Sequence, residues 1–186
     1  MGYTKEDIHQ IVEKQREFFL SNQTLDISFR KEQLIKLRNA ISSNQEVLEK
    51  ALFEDLGRSD AEAYFCDIGD VIMEINECIH GLKKWSKPET HFSGLACFPS
   101  IFTKVYKMPY GVSLIISPFN FPVLLSIGVL AASIAGGNTA LIKASSKSKA
   151  TTQALKEIIA NTFGENYITV IDGGHDVADF CLEERV

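Results

Sequence analysis

Three short segments of this 186-residue chain hold the residues that could do chemistry. Ser117 to Phe121 sets Asn120 between Pro118 and Pro122, Lys143 to Ser148 is a Ser/Lys loop, and Asp172 to His175 contains a glycine pair. Each follows a short apolar run, and in open α/β sheets ligands bind beyond the carboxyl ends of the strands. On pattern alone Asn120 suits the cap of a helix opening at Pro122, where proline loses nothing because the first N–H has no intrahelical partner. No acidic residue lies between Glu89 and Glu157, whereas Lys104, Lys107, Lys143, Lys147, Lys149 and Lys156 do. These lysines offer an anion a local site, and a solvated basic surface accounts for them equally well. The first turn carries no GxGxxG fingerprint and the chain has no P-loop, which argues against an ordinary pyrophosphate cradle. The cysteines Cys66, Cys78, Cys97 and Cys181 lack CxxC or Cys/His ligand spacing, so neither zinc nor a redox dithiol is expected.

The elements that must position these segments follow from hydrophobic period. Val112 to Ile116 is a β-branched, aliphatic run that suits a strand buried on both faces. Pro122 to about Ile134 reads as a helix that is apolar nearly all round, closed by left-handed glycines at Gly136 and Gly137, and Asn138 to Lys143 restarts as a strand. That is a βαβ unit with parallel strands and a right-handed crossover. A helix over Ala150 to Phe163 with Leu155, Ile158, Ile159 and Phe163 inward, a cap at Gly164, a strand over Tyr167 to Ile171 and a helix over Asp176 to Arg185 complete an alternating second half. Upstream, Thr4/Asp7 and Ser59/Glu62 form capping boxes. Helices are expected over Thr4 to Phe19, Phe29 to Ile41 and Asn44 to Leu56, the last ended by Gly57. A longer one carries the stripe Phe65, Ile68, Ile72, Ile75, Ile79, Leu82 to Trp85. Pro88 to Pro99 reads as a loop and Ile101 to Met108 as a strand. The fold class is therefore α/β, with a helical segment over 1–88, a loop and strand over 89–110, and a parallel sheet over 111–186.

The neutral stretch before Lys143 is broken by its prolines, and the helix left over is shorter than the roughly 20 residues a membrane crossing needs, so no transmembrane span is expected. A net charge of -5 argues against general nucleic-acid binding. Met1 to Glu17 is polar and charged, unlike a signal peptide, and free thiols fit a cytoplasmic location.

SPFNFP, an apolar helix and AGGNTALIKASS together resemble the aldehyde dehydrogenase superfamily, whose corresponding segments are close to SPWNYP and AAGNAVVIKPSE. The likeness runs from about residue 27 to 185, includes FRKEQLIKLR, DLGRS and YITVIDGG, and has the character of the class 3 or fatty-aldehyde branch. It implies an incomplete Rossmann-like sheet and NAD or NADP as cofactor, held by Ile116, Ser117, Pro118, Phe119, Lys143, Ser145, Ser146, Gly173 and Gly174. It makes Asn120 catalytic, its amide donating to the aldehyde oxygen as that becomes an oxyanion after thiolate attack, a role typically worth about 3–4 kcal/mol. Lys143 matches a lysine that bonds the adenine ribose. Ser146 stands where NAD-preferring members carry a glutamate, so the resemblance implies that NADP is tolerated, because a hydroxyl does not repel a 2′-phosphate, and leaves the preference between NAD and NADP open. Ala144 replaces the usual proline, and Phe121 stands where many members have tyrosine. The strand from Ile101 to Met108 matches part of an oligomerisation hairpin.

The family reaction runs through a cysteine thiohemiacetal, hydride transfer to the nicotinamide, and thioester hydrolysis by water that a glutamate activates. The segments that supply this chemistry, FxGQxC, ELGG and FTGS, do not occur among these 186 residues. The chain therefore reads as the N-terminal part of an aldehyde dehydrogenase, inactive alone, whose substrate is a small-molecule aldehyde and whose partner is a C-terminal catalytic half or another copy. Two other readings are a non-catalytic module that associates through the edge of its unfinished sheet, and part of an acylating relative that passes the thioester to coenzyme A.

Overall fold

The structure, a computed structural model, describes residues 2–186. Helix α1 (Lys5–Leu20) opens at the expected capping box, with the Asp7 N–H donating to the Thr4 hydroxyl and the Thr4 N–H to the Asp7 carboxylate at 2.8 Å. Helices α2 (Ile27–Ser43) and α3 (Gln45–Leu56) follow, and Gly57 ends α3 in the left-handed region at φ 68°. Helix α4 (Asp60–Ala63) opens at the Ser59/Glu62 box, then passes through a π turn (Tyr64–Ile68) into α5 (Gly69–Trp85). The π turn is the first departure from expectation. Its extra residue rotates the phase of the helix, so Phe65, expected to lead the buried stripe, is 73% exposed, while Asp67 and Ile68 are fully buried.

Strands β1 (Glu89–Phe92) and β2 (Phe102–Val105) form an antiparallel hairpin in the register Glu89↔Val105 to Phe92↔Phe102. The loop expected over Pro88 to Pro99 is thus a strand in its first part, and the strand expected over Ile101 to Met108 is shorter. Every residue of both strands is exposed, so alternation along the second strand does not sort an inner from an outer face.

The expected sheet is present. Strands β3 (Val112–Ile116), β4 (Thr139–Lys143) and β5 (Ile168–Ile171) are parallel in the order β3-β4-β5, linked by α6 (Val129–Gly136) and α7 (Lys149–Thr162), with α8 (His175–Glu183) after β5. Successive strand residues point to opposite faces. Leu141 and Ile171 pack with Ile8, Ile11 and Val12 of α1 and Val177 and Cys181 of α8. Ala140, Ile142, Ile168 and Val170 pack on the other face with α6, α7 and the helices α2, α3 and α5 behind them. The buried Gln15 ties α1 to the sheet by donating to the Ala140 carbonyl at 2.8 Å.

The helix expected from Pro122 begins instead as a π turn (Leu124–Gly128) and runs two residues beyond Ile134. It is not buried all round: Leu125 and Val129 are exposed, because α2 and α5 cover only one side. Gly137 alone takes the left-handed cap, at φ 90°, while Gly136 is the last helical residue. Gly164 does not cap α7; Phe163, in extended conformation, ends it, and the Gly164 carbonyl accepts from the N–H of Tyr167.

Two carboxylates from the helical segment fix the helices of the sheet. The Asp55 oxygens accept the N–H groups of Ala150 at 3.1 Å and Thr151 at 2.7 Å, at the start of α7. Asp67 Oδ1 accepts those of Val123 at 3.1 Å and Leu124 at 2.7 Å, at the start of the π turn leading into α6. Each carboxylate satisfies donors that a helix start leaves without intrahelical partners.

Candidate functional site

The carboxyl ends of the strands bring most of the expected residues to one edge. Ile116 ends β3 opposite Lys143 in the parallel register, and the Ser117 N–H donates to the Lys143 carbonyl at 3.1 Å. The Ser117 hydroxyl is buried with no hydrogen-bond partner among the described residues, while Pro118, Phe119 and Asn120 are exposed. Lys143 is buried, and its ammonium donates to the Gly173 carbonyl at 2.7 Å, joining the β4 and β5 ends. The Lys147 ammonium lies 5.1 Å from the centre of the Phe119 ring, within cation–π reach, and so joins the β3 and β4 loops.

A hollow of about 370 Å³ opens beside these ends, lined by Ser145, Ser146, Lys149, Thr152, Gln153, Asp172, Gly173 and Gly174. Expected residues Ser145, Ser146, Gly173 and Gly174 therefore meet around one space, whereas Ile116 to Phe119, Asn120 and Lys143 do not line it. Thr152 and Gln153 are additions to the expected set, and Lys149 and Asp172, named in the sequence only within a lysine run and a strand-end segment, join it here. The α7 positions were legible as the polar side of its opening turn, but only the closure of β5 onto β4 sets Asp172 across from them. The Thr152 hydroxyl donates to the Ser145 carbonyl at 3.2 Å and holds the loop. The donor set suits a ribose, with hydroxyls from two serines, an ammonium from Lys149 and a carboxylate from Asp172 that can accept from a sugar hydroxyl. Lys156 bonds Asp172 at 2.6 Å and holds its carboxyl below the usual range.

The lysines are not one anion patch. Lys107 pairs with Glu89 at 3.0 Å and Lys156 with Asp172, which leaves Lys143, Lys147 and Lys149 near the strand ends. The starts of α6 and α7 are occupied by Asp67 and Asp55, and this carboxylate capping removes both as anion sites. A larger hollow of about 700 Å³, bounded by Trp85, Met108, Tyr110, Val129 and Ala132, lies along the open side of α6 and contains none of the expected site residues. Among the described residues no cluster of His, Cys, Asp or Glu could hold a metal ion, and no helix is long and apolar enough to cross a membrane.

Asn120 sits in the turn between β3 and α6. Its side chain makes no cap hydrogen bond, so the simpler reading of it as a helix cap is replaced by Asp67, which does that work. Its backbone carbonyl accepts from Arg58 Nη2 at 2.7 Å, and the Arg58 guanidinium lies 4.9 Å from the centre of the Phe121 ring. Arg58 also pairs with Asp67 Oδ2. Neither Arg58 nor Asp67 was legible as a site residue, since their partners in the Asn120 turn lie more than fifty positions away. Burial pushes the Asp67 carboxyl above the usual range, against the pull of Leu124 N–H and Arg58.

Comparison with known proteins bears on the same residues. The model of the aldehyde dehydrogenase family matches residues 2–185. Among curated proteins, the 4,4'-diaponeurosporen-aldehyde dehydrogenase of Staphylococcus aureus is 45% identical over 159 residues, 84% of this chain and 34% of that protein. Aldehyde dehydrogenase family 3 member F1 of Arabidopsis thaliana is 34% identical over 185 residues, 100% of this chain and 38% of its own length. The chain thus spans little more than a third of these relatives. Among solved structures, the substrate-bound state of Staphylococcus aureus AldH superposes with a TM-score of 0.89 at 42% identity, over 92% of this chain and 37% of that one. Two structures at 23% identity share the fold. They are a glyceraldehyde-3-phosphate dehydrogenase of Methanocaldococcus jannaschii complexed with NADP, at TM-score 0.82 over 97% and 39% of the two chains, and a betaine aldehyde dehydrogenase of Staphylococcus aureus with NAD+, at 0.83 over 97% and 36%.

Proposed function

We propose, since this chain belongs to the aldehyde dehydrogenase family and matches class 3 relatives along its length, that it supplies the oxyanion donor and the adenosine-side cofactor contacts of an NAD(P)-dependent aldehyde dehydrogenase. The observation that carries the reading is the meeting of Ser145, Ser146, Gly173 and Gly174 around one hollow at the carboxyl ends of the parallel strands, with the Asn120 turn on the neighbouring strand end. A bound dinucleotide supplies the hydride acceptor. The residues of this chain have simpler work. Ser145 and Ser146 offer hydroxyls to the ribose, Lys143 holds the Gly173 loop in place through its carbonyl, and Lys149 brings positive charge. Asn120 presents two amide donors from an exposed turn to the oxygen of an aldehyde, where developing negative charge strengthens the bond and lowers the barrier.

Without a cysteine in a GQxC setting or a glutamate in an ELGG setting, these residues form no thiohemiacetal and activate no water. The remaining groups belong to a C-terminal catalytic portion. The fully exposed β1/β2 hairpin, with Phe92 against Phe102 at 5.9 Å, fits an oligomer contact that covers its apolar side. Phe119 and Phe121 beside Asn120 favour an apolar aldehyde, and the cytoplasm fits free thiols.

NADP tolerance rests on Ser146, which is exposed beside Lys147 and Lys149, although Asp172 across the hollow offsets some of that charge. Titration of the purified chain with NADP and with NAD+ tests this. Ser146→Glu is expected to weaken NADP about tenfold or more while leaving NAD+ within a few-fold, since a carboxylate repels a 2′-phosphate and accepts from a 2′-hydroxyl. Equal weakening of both cofactors would show that Ser146 does not discriminate at the ribose 2′ position, and no change in either would place it outside the site.

A further inference from the structure

The turn that carries Asn120 is held from outside the sheet by a pair of charged residues. Asp67 is fully buried, and its two oxygens do different things. Oδ1 takes the Val123 and Leu124 N–H groups, while Oδ2 pairs with Arg58, which spends its other arm on the Asn120 carbonyl at 2.7 Å and lies against Phe121. We propose that Arg58 and Asp67 are positioning residues for the aldehyde oxyanion site, fixing the backbone of Asn120 so that its amide is preset toward the reacting oxygen. This rests on the reading of Asn120 as the oxyanion donor.

The physical argument is one of connectivity. The side chain of Asn120 makes no hydrogen bond with another residue, so nothing beyond its own backbone directs it. The backbone is grasped on both sides, at its carbonyl by Arg58 and three residues on by Asp67. A guanidinium fork can hold a carboxylate and a carbonyl together, because its donors are fixed in one plane. Asp67 lies within the π turn at Tyr64–Ile68 and is buried there. Position 67 stands four residues before Val71 and eight before Ile75, on the buried face of α5, whereas Phe65 is turned away from that face. A donor misplaced by about 1 Å loses much of its effect on a transition state, so a support of this kind belongs to the chemistry without touching the substrate.

The test is backbone ¹⁵N relaxation and amide exchange on the purified chain with Arg58→Ala, Arg58→Lys and Asp67→Asn. In Arg58→Ala the amides of Phe119, Asn120 and Phe121 should loosen, and exchange at Val123 and Leu124 should quicken about tenfold, as the loss of one charged partner allows. Amides of Leu141 and Ile142 in the sheet core should stay within about twofold, which separates local release from a general loss of stability. Arg58→Lys should restore part of the order, because an ammonium reaches one partner but lacks the planar fork for both. Asp67→Asn, which keeps an acceptor oxygen for the helix start and loses the ion pair, should loosen Asn120 while Val123 and Leu124 remain protected. Wild-type order at Asn120 in both Arg58→Ala and Asp67→Asn would overturn the proposal, as would loosening shared equally by Leu141 and Ile142. Backbone order at Asn120 reports on the support whether or not its amide serves an aldehyde, so failure of the oxyanion reading leaves this readout intact and is detected separately by Asn120→Ala in a turnover assay.

Discussion

Asp55→Ala should uncouple the helical segment from the sheet. Asp55 stands in the last turn of α3, yet its carboxylate closes the start of α7, 95 and 96 residues further on, through Ala150 and Thr151. Substitution removes two charge-assisted acceptors from a helix start. A lost N-cap costs about 0.5–2 kcal/mol. Ala150 is partly exposed and its N–H can turn to water, but Thr151 is fully buried, so one donor stays unsatisfied, at about 1–3 kcal/mol. The two figures overlap because they describe the same N–H groups, and about 2 kcal/mol is the combined expectation. For a chain of this size that corresponds to about 4–8 °C in midpoint. Asp55→Asn keeps one acceptor and loses the charge facing the helix dipole, so its cost should be about 0.5–1 kcal/mol. Urea unfolding followed by far-UV circular dichroism, with equal slopes for all proteins as the check on two-state behaviour, measures both. A loss below about 0.5 kcal/mol for Asp55→Ala, or one equal to that of Asp55→Asn, would refute the reasoning.

Gly137→Ala should destabilise by about 2 kcal/mol, since the left-handed position costs a side chain about 1 kcal/mol and the new Cβ would lie 2.5 Å from Arg30 Nη2. Arg30 would have to release bonds to the Thr24 and Ala135 carbonyls, which thermal unfolding of the variant measures. Burial raises the Cys181 thiol to about 11, so native-state alkylation at neutral pH should modify the exposed Cys97 first and reach Cys181 only on unfolding. Early modification of Cys181, followed by mass spectrometry, would contradict its placement between α1 and α8. The Thr4 N–H holds the Asp7 carboxyl below its ordinary value of 3.8, and the Ser59 N–H does the same for Glu62 below 4.5. Folded values below unfolded ones mean that this stability is present above those ordinary values and is lost as pH falls through the folded values. The gap in thermal midpoint between wild type and Asp7→Asn should therefore narrow toward acid, and a gap that widens there would reverse the sign.

Local signals made the sheet and most helices legible. Val112 to Ile116 is a strand with the expected ends, and both capping boxes close as read, because each depends on residues three apart. What was missed depends on distant partners. Glu89 to Phe92 has no buried face, so its strand character comes from pairing with Phe102 to Val105 rather than from its own pattern. The π turns hide inside apolar stripes whose spacing of three and four residues runs on through them, and the shift shows only as Phe65 turned outward. At the candidate site, the motif segments around Asn120 and Lys143 fall at the carboxyl ends of β3 and β4, where their apolar runs placed them. Asp67 and Arg58, which hold the Asn120 turn, look in sequence like ordinary charged residues beside a capping box. Only the packing of one π turn against another brings them to Val123, Leu124 and Asn120.

The most direct measurement is aldehyde-dependent formation of reduced cofactor by the 186-residue chain alone, and by the chain combined with the remaining C-terminal portion of its Staphylococcus aureus relative. The chain alone should give none. The combined protein should turn over, and Asn120→Ala in the chain should lower kcat by about 10²–10³-fold, the usual cost of one oxyanion donor. Turnover by the chain alone, or an undiminished Asn120→Ala combination, would contradict the assignment of this chain as the part that supplies the oxyanion donor but not the nucleophile.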